Sequence, residues 1–232
     1  RSYDESTDVT ELIGYAESEI FKVAEGHVKR SVQSSKDLLA KALMQIEEAS
    51  KNTSAFNGVP SGFMAIDRVT LGWQLSDLII VAARPSMGKT AFVLSMARNM
   101  AVDHEQGVAF FSLEMSKEQL VTRLISNESF VDNKKLVTGQ LSMEEWSKIG
   151  IAATALSQTD IRVDDNPSLS VAEMNAKCRR LDNLCLVIID YLQLMVSAGG
   201  RTYSGENRQQ VVSDISRSLK IMAKELNVPV LC

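Results

Sequence analysis

Cysteine is scarce in this sequence. Cys178, Cys185 and Cys232 are the only three in 232 residues, an odd number with no Cys-x-x-Cys pair. That argues against a disulfide-stapled secreted domain and predicts buried or neutral thiols in a reducing cytosol. The two histidines, His27 and His104, lie far apart and near no cysteine, so no zinc site is expected. Proline (4) and glycine (12) are also few, which excludes collagen-like and low-complexity chains. No apolar run approaches the roughly 18–20 residues that span a bilayer. The first residues, Arg1-Ser2-Tyr3-Asp4-Glu5, are polar and unlike a signal peptide. A basic excess is missing too: 25 Lys+Arg stand against 29 Asp+Glu, a net charge of −4. Strongly basic domains are the usual footprint of nucleic-acid binding, so net charge alone argues mildly against such a partner.

What remains is a globular composition, 45% hydrophobic, at a length that suits one large α/β domain or one domain with an appendage. The chain does not begin with methionine, and it stops inside its last predicted strand. The expectation is therefore a fragment.

Residues 1–52 read as a separate helical region. Val9, Leu12, Ile13, Ala16, Ile20 and Val23 share one face of a predicted helix over about 8–26, with Asp8 or Thr10 to cap it and Gly26 to end it. Leu39, Ala42, Leu43, Ile46 and Ala49 mark a second helix. Such apolar stripes need a surface to cover, within the chain or on a neighbouring subunit. From the turn cluster Gly58-Val59-Pro60-Ser61-Gly62 onward, strands and helices alternate. The pattern predicts strands at 78–83, 107–113, 161–163, 184–189 and 228–231. It predicts helices at 90–101, 116–129, 142–155, 170–181 and 207–226. Ser116 with Gln119, and Ser142 with Glu145, have capping-box spacing. This alternation predicts an α/β fold, a mostly parallel twisted sheet with helices on both faces, over 53–232.

Four segments carry chemistry. Ala83-Arg84-Pro85-Ser86-Met87-Gly88-Lys89-Thr90 follows a predicted strand and opens a predicted helix, the setting a phosphate-binding P-loop requires. Loop and helix-end N–H groups would face a polyphosphate, Lys89 would reach the β- and γ-phosphates, and the Thr90 hydroxyl would hold Mg²⁺. The candidate nucleotide contacts are Ser86, Met87, Gly88, Lys89, Thr90 and Ala91. Ala83 stands where the motif has its first glycine, which alanine can replace at negative φ. Leu186-Val187-Ile188-Ile189-Asp190 is an apolar strand ending in an acid, the Walker B form, with Asp190 a second candidate for Mg²⁺. Glu114 follows the strand at 107–113, at the end where ligands of open α/β sheets bind. It can activate water there, or be a surface acid favoured by the following helix. The segment 197–208 is rich in small residues and holds Arg201, Tyr203, Glu206 and Arg208. Its cations could contact phosphates, but composition alone favours an unconstrained surface loop by about two to one.

Taken together, these segments resemble the ATPase domain of the DnaB-type bacterial replicative helicase, a RecA-like motor. The resemblance runs through GVPSGFMAIDRVTLGW (58–73), VAARPSMGKTAF (81–92), FFSLEMSKEQLVTRL (110–124), VIIDYLQLM (187–195) and ENRQQVVSDISRSLKIMAKELNVPV (206–230). It implies a RecA-like P-loop core over 53–232, truncated at its C-terminal side, behind a linker region at 1–52. The linker helix at 8–26 would dock on the adjacent subunit of a hexameric ring. It also implies a cytoplasmic enzyme that hydrolyses Mg-ATP to move 5′→3′ on single-stranded DNA and unwind the fork, with primase and a helicase loader as partners and no membrane. Carried across by residue, Lys89 and Thr90 bind phosphate and Mg²⁺, Glu114 is the catalytic base and Asp190 coordinates Mg²⁺. Arg201, Glu206 and Arg208 are candidates for DNA contact. The family's arginine finger and polar sensor would fall past residue 232, so this chain alone is expected to hydrolyse ATP slowly.

The alternatives are a RecA-type recombinase on the same core and a non-enzymatic assembly module. The charge argument weakens under this reading. Residues 1–52 carry 7 basic and 10 acidic side chains, and 53–232 carry 18 and 19, so most of the acidity lies in the linker region. A nearly neutral ring can hold its track topologically with a few inward cations.

Overall fold

A computed structural model describes residues 34–51, 58–84, 86–190 and 205–232, with side chains from 210 onward in the last segment. The predicted helix at 8–26 and residues 197–204 of the loop lie outside the described residues. The chain divides into two compact units, 1–53 and 54–232.

The first unit contributes helix α1 (Ser35–Lys51). Leu39, Leu43 and Ile46 of its predicted stripe are exposed.

Among its described residues, the second unit is built on five parallel strands in the order β1-β5-β4-β2-β3. These are β1 (Leu78–Ile79), β2 (Gly107–Ser112), β3 (Ile161–Asp164), β4 (Leu184–Asp190) and β5 (Val230–Leu231). Alternation along the central strands divides the core between two faces. Val108, Phe110, Leu186, Ile188 and Leu231 pack with α3 (Lys89–Arg98) and α4 (Lys117–Ser129). Ala109, Phe111, Val187, Ile189 and Val230 pack on the other face. Their partners there are Met174 and Cys178 of α7 (Val171–Cys178), and Leu219, Met222 and Ala223 of α8 (Gly205–Leu226). Every residue of β2 is buried, as expected for a strand covered twice.

Three helices open on the same device. Ser116, Ser142 and Ser170 each accept a hydrogen bond from the backbone N–H three residues on, and Gln119, Glu145 and Glu173 reach back to the cap. They start α4, α6 (Met143–Ser157) and α7. Serine and the N3 residue together satisfy two N–H groups that a helix end leaves unpaired.

The predicted elements differ from the structure mainly at the margins. The strand predicted at 78–83 is a ladder over Leu78–Ile79, prolonged by Val81 N–H donating to Cys232 O at 2.8 Å. It is an edge strand whose chain then turns into the phosphate loop. The helix predicted at 90–101 starts at Lys89 and passes into a π-helical turn at Asn99–Asp103. The helix predicted to Leu181 ends at Cys178 in a series of tight turns. Two short helices, α2 (Met64–Thr70) and α5 (Asn133–Thr138), had no periodic signal.

The segment before β1 braces the site from behind. Val59 and Trp73 form an antiparallel bridge. Gly58 and Gly72 cross so closely that a Cβ on Gly58 would lie 2.6 Å from Trp73 O. Phe63 stacks on Phe92 of α3 with centroids 5.0 Å apart, and Trp73 Nε1–H points at Met96 Sδ. The buried Asp67 carboxylate accepts from Ser61 N–H at 2.7 Å. These contacts fix the helix that starts in the phosphate loop.

Candidate nucleotide site

The carboxyl ends of β1, β2 and β4 bring the phosphate loop, Glu114 and Asp190 to one edge of the sheet. Gly88 is the N-cap of α3 at φ 87°, a left-handed conformation. Ser86 is also left-handed, at φ 65°, and Ala83 is not among the described residues with positive φ. That accommodates alanine at the motif's first glycine position. A Cβ on Gly88 would meet nothing within 4 Å. Glycine is needed there for φ, and the space beside it is open. Ser86, Met87 and Ala91 are exposed along the loop and first helical turn.

Asp190 is the centre of the site. It ends β4, buried to 3% exposure. Its Oδ2 accepts from Thr90 Oγ1 at 2.7 Å, and its Oδ1 lies 2.8 Å from Lys89 Nζ, an ionic contact without hydrogen-bond alignment. Side chains 100 positions apart in sequence thus converge on one carboxylate. A buried carboxylate is tolerated because a cation and a hydroxyl face it. Asp190 and Thr90 supply hard oxygen atoms of the kind Mg²⁺ selects, and the open space at Gly88 has room for a phosphate at a helix N-terminus. The residues therefore fit a magnesium nucleotide.

Glu114 sits next to this cluster. Ser112, the last residue of β2, is in register with Asp190, and Leu113 N–H donates to Asp190 O at 2.8 Å. Glu114 follows and is exposed, beyond the end of the sheet. Cys232 is buried beyond the end of β5, and burial pushes its thiol up to about 11 against the opposing pull of the Lys89 charge. Burial likewise pushes Cys178 up to about 12. Both thiols are neutral at physiological pH.

Lys89, Thr90 and Asp190 are therefore in mutual contact, and Glu114 adjoins them. Arg201 lies outside the described residues, and Glu206 and Arg208 fall in the first turn of α8, where only the backbone is described. Two residues that sequence reasoning missed are Ser112 and Asp165. Ser112 holds the turn after β2, and Asp165 accepts from Lys117 N–H at 3.1 Å. A serine closing an otherwise apolar strand was the available signal for the first. The second required the fold.

A parallel sheet, a left-handed glycine cap, a helix opening Lys-Thr and a buried acid in contact with both define a P-loop nucleotide-binding domain with a RecA-like fold. Residues 58–232 match the family of the DnaB-like helicase C terminal domain, and the chain belongs to that family. It is 44% identical to "Replicative DNA helicase DnaC" of Bacillus subtilis (strain 168) over 99% of its own length and 50% of that protein's. It is also 44% identical to "Replicative DNA helicase DnaB" of Geobacillus stearothermophilus, with the same coverage. The chain thus spans half the length of these relatives. Among solved structures it superimposes on one titled as an ATPase domain with TM-score 0.76 and 34% identity, covering 87% of this chain and 70% of that one. It superimposes with TM-score 0.72, again at 34% identity, on a structure titled as a DnaB-like replicative helicase and its interactions with primase, covering 94% and 52%.

Proposed function

We propose that this chain is the motor region of a replicative DNA helicase, which couples Mg-ATP hydrolysis to 5′→3′ movement on single-stranded DNA and to unwinding at the fork. The observation that carries this reading is the convergence of Lys89 and Thr90 on buried Asp190 with Glu114 alongside. Relatives 44% identical to it that are named as replicative helicases support it over the recombinase alternative.

In this reading Ser86 to Ala91 cradle the phosphates through backbone N–H groups at the start of α3. Lys89 turns from Asp190 toward the β- and γ-phosphates. Thr90 and Asp190 hold Mg²⁺, which when bound neutralises charge on the phosphates. Glu114 orients and deprotonates the attacking water. The helix at 8–26 docks on the next subunit of a hexamer, while 53–232 forms the motor. Arg201, Glu206 and Arg208 are the candidates for DNA contact, in a stretch (198–225) that holds five basic side chains against three acidic. Primase and a loader are its partners, and the protein works in the cytoplasm.

The test uses the full-length protein containing this chain. Lys89→Ala abolishes fork unwinding and lowers ATP turnover by roughly 100-fold or more, since the phosphate clamp is lost. Strand exchange without unwinding would instead identify a recombinase. Glu114→Gln keeps nucleotide binding and loses hydrolysis; unchanged turnover would remove Glu114 from its role and favour an assembly module.

A further inference from the structure

Glu114 is exposed, yet a general base is effective only when its carboxylate is held in position. The turn that carries it is held from three directions. On one side, Leu113 N–H donates to Asp190 O at 2.8 Å, which ties the turn to β4. Beneath it, the Ser112 hydroxyl donates to Met115 O at 2.7 Å and accepts from Met115 N–H at 3.1 Å. These two bonds close a ring across Glu114. On the other side, Asp165 follows β3. Its Oδ2 accepts from Lys117 N–H at 3.1 Å, and its Oδ1 lies 3.9 Å from Lys117 Nζ. The capping box of Ser116 and Gln119 locks the first turn of α4 immediately behind.

Ser112 is 1% exposed at the end of a strand whose preceding residues, Val108 to Phe111, are buried and apolar. A buried hydroxyl carries a desolvation cost that an alanine would avoid. Here it is offset by bonds to the turn bearing Glu114. Asp190 meanwhile binds the turn through its carbonyl oxygen, and Lys89 and Thr90 through its carboxylate. One residue thereby sets the spacing between the phosphate loop and the candidate base.

We propose that the segment 113–117 is a preorganised mount for Glu114, and that Ser112 and Asp165 are positioning residues for hydrolysis. The proposal rests on the reading of Glu114 as the base. In the full-length protein, kcat and KM for Mg-ATP and the affinity for a fluorescent ATP analogue are measured for five forms: wild type, Ser112→Ala, Asp165→Ala, Asp165→Asn and Glu114→Gln. Ser112→Ala and Asp165→Ala lower kcat about 10-fold or more, with KM and affinity changed by no more than about twofold, because displacing the base affects the transition state alone. Asp165→Asn keeps an oxygen acceptor for Lys117 N–H and recovers most of the loss. A purely structural role would lower stability and leave kcat per folded molecule unchanged.

If Glu114→Gln loses turnover while both alanine variants keep kcat, the mount is refuted and the base survives. If Glu114→Gln keeps turnover, the reading of Glu114 fails and the mount with it. Should Ser112→Ala not fold, the Asp165 pair decides: loss in the alanine form with recovery in the asparagine form supports the mount, and equal kcat in both overturns it.

Discussion

Gly88 shows how one residue type serves two needs at one position. Its φ of 87° lies where L-residues with a Cβ are strained, while no atom lies within 4 Å of where that Cβ would stand. Gly88→Ala should therefore lower stability by only about 1–2 kcal/mol, the left-handed backbone cost, as read by urea denaturation. Nucleotide affinity should fall further, because the methyl would stand in the open space beside the loop. Equal loss of stability and affinity would mean that this space is not where phosphate binds. Asp190 is the other pivotal residue. Its exposure of only 3% makes Lys89 a structural partner as well as a candidate phosphate ligand. The loss of turnover in Lys89→Ala should therefore come with a loss of stability of roughly 1–3 kcal/mol, the cost of leaving a buried acceptor without its cation.

At the scale of the element, the capping boxes give a pH-dependent prediction. The Glu145 carboxyl is held down to about 2 from its ordinary 4.5, first by the hydrogen bond from Lys135 and then by that from Ser142 N–H at the N-cap of α6. A depressed acid contributes stability that is full above its unfolded value and disappears as pH falls through the folded one. The stability gap between wild type and Glu145→Gln should thus be constant above about pH 5 and shrink between about pH 4.5 and 2. Urea midpoints at several pH values check this, and a gap that does not change with pH would refute it. Ser142→Ala should cost about 1 kcal/mol at neutral pH, the usual value of an N-cap serine.

For the whole molecule, covering the sheet twice makes both faces equally intolerant. Phe110 and Phe111 are neighbours on β2, point to opposite faces and are 1% and 3% exposed. Truncating either to alanine should cost about 3–5 kcal/mol. A near-neutral result for one of them in chemical denaturation would mean that its face is uncovered. Parallel strands require crossovers, and the order β1-β5-β4-β2-β3 places β5 between the strand that leads into the phosphate loop and the strand that ends in Asp190. No local pattern announces that order.

Much was nonetheless legible in advance. The apolar runs of β2 and β4 are strong because strands buried on both faces need no alternation. Ser116 and Ser142 marked helix starts because capping is a local interaction, and Ser170 with Glu173 carries the same spacing. The phosphate loop was readable because its chemistry lies in consecutive residues between a strand and a helix. Edge strand β1 read too long because β-propensity does not know where the ladder loses its partner. The short helices α2 and α5 went unseen because one or two turns show no period. The sequence alone determined which residues are candidates for phosphate and metal contact, since that chemistry depends on backbone conformation and side-chain identity within a few positions. Only the tertiary structure decided that Lys89 and Thr90 meet Asp190 across 100 residues, and that Ser112 and Asp165 hold the turn of Glu114 from neighbouring strands. Those contacts follow from strand order and register, which the packing of the whole sheet selects.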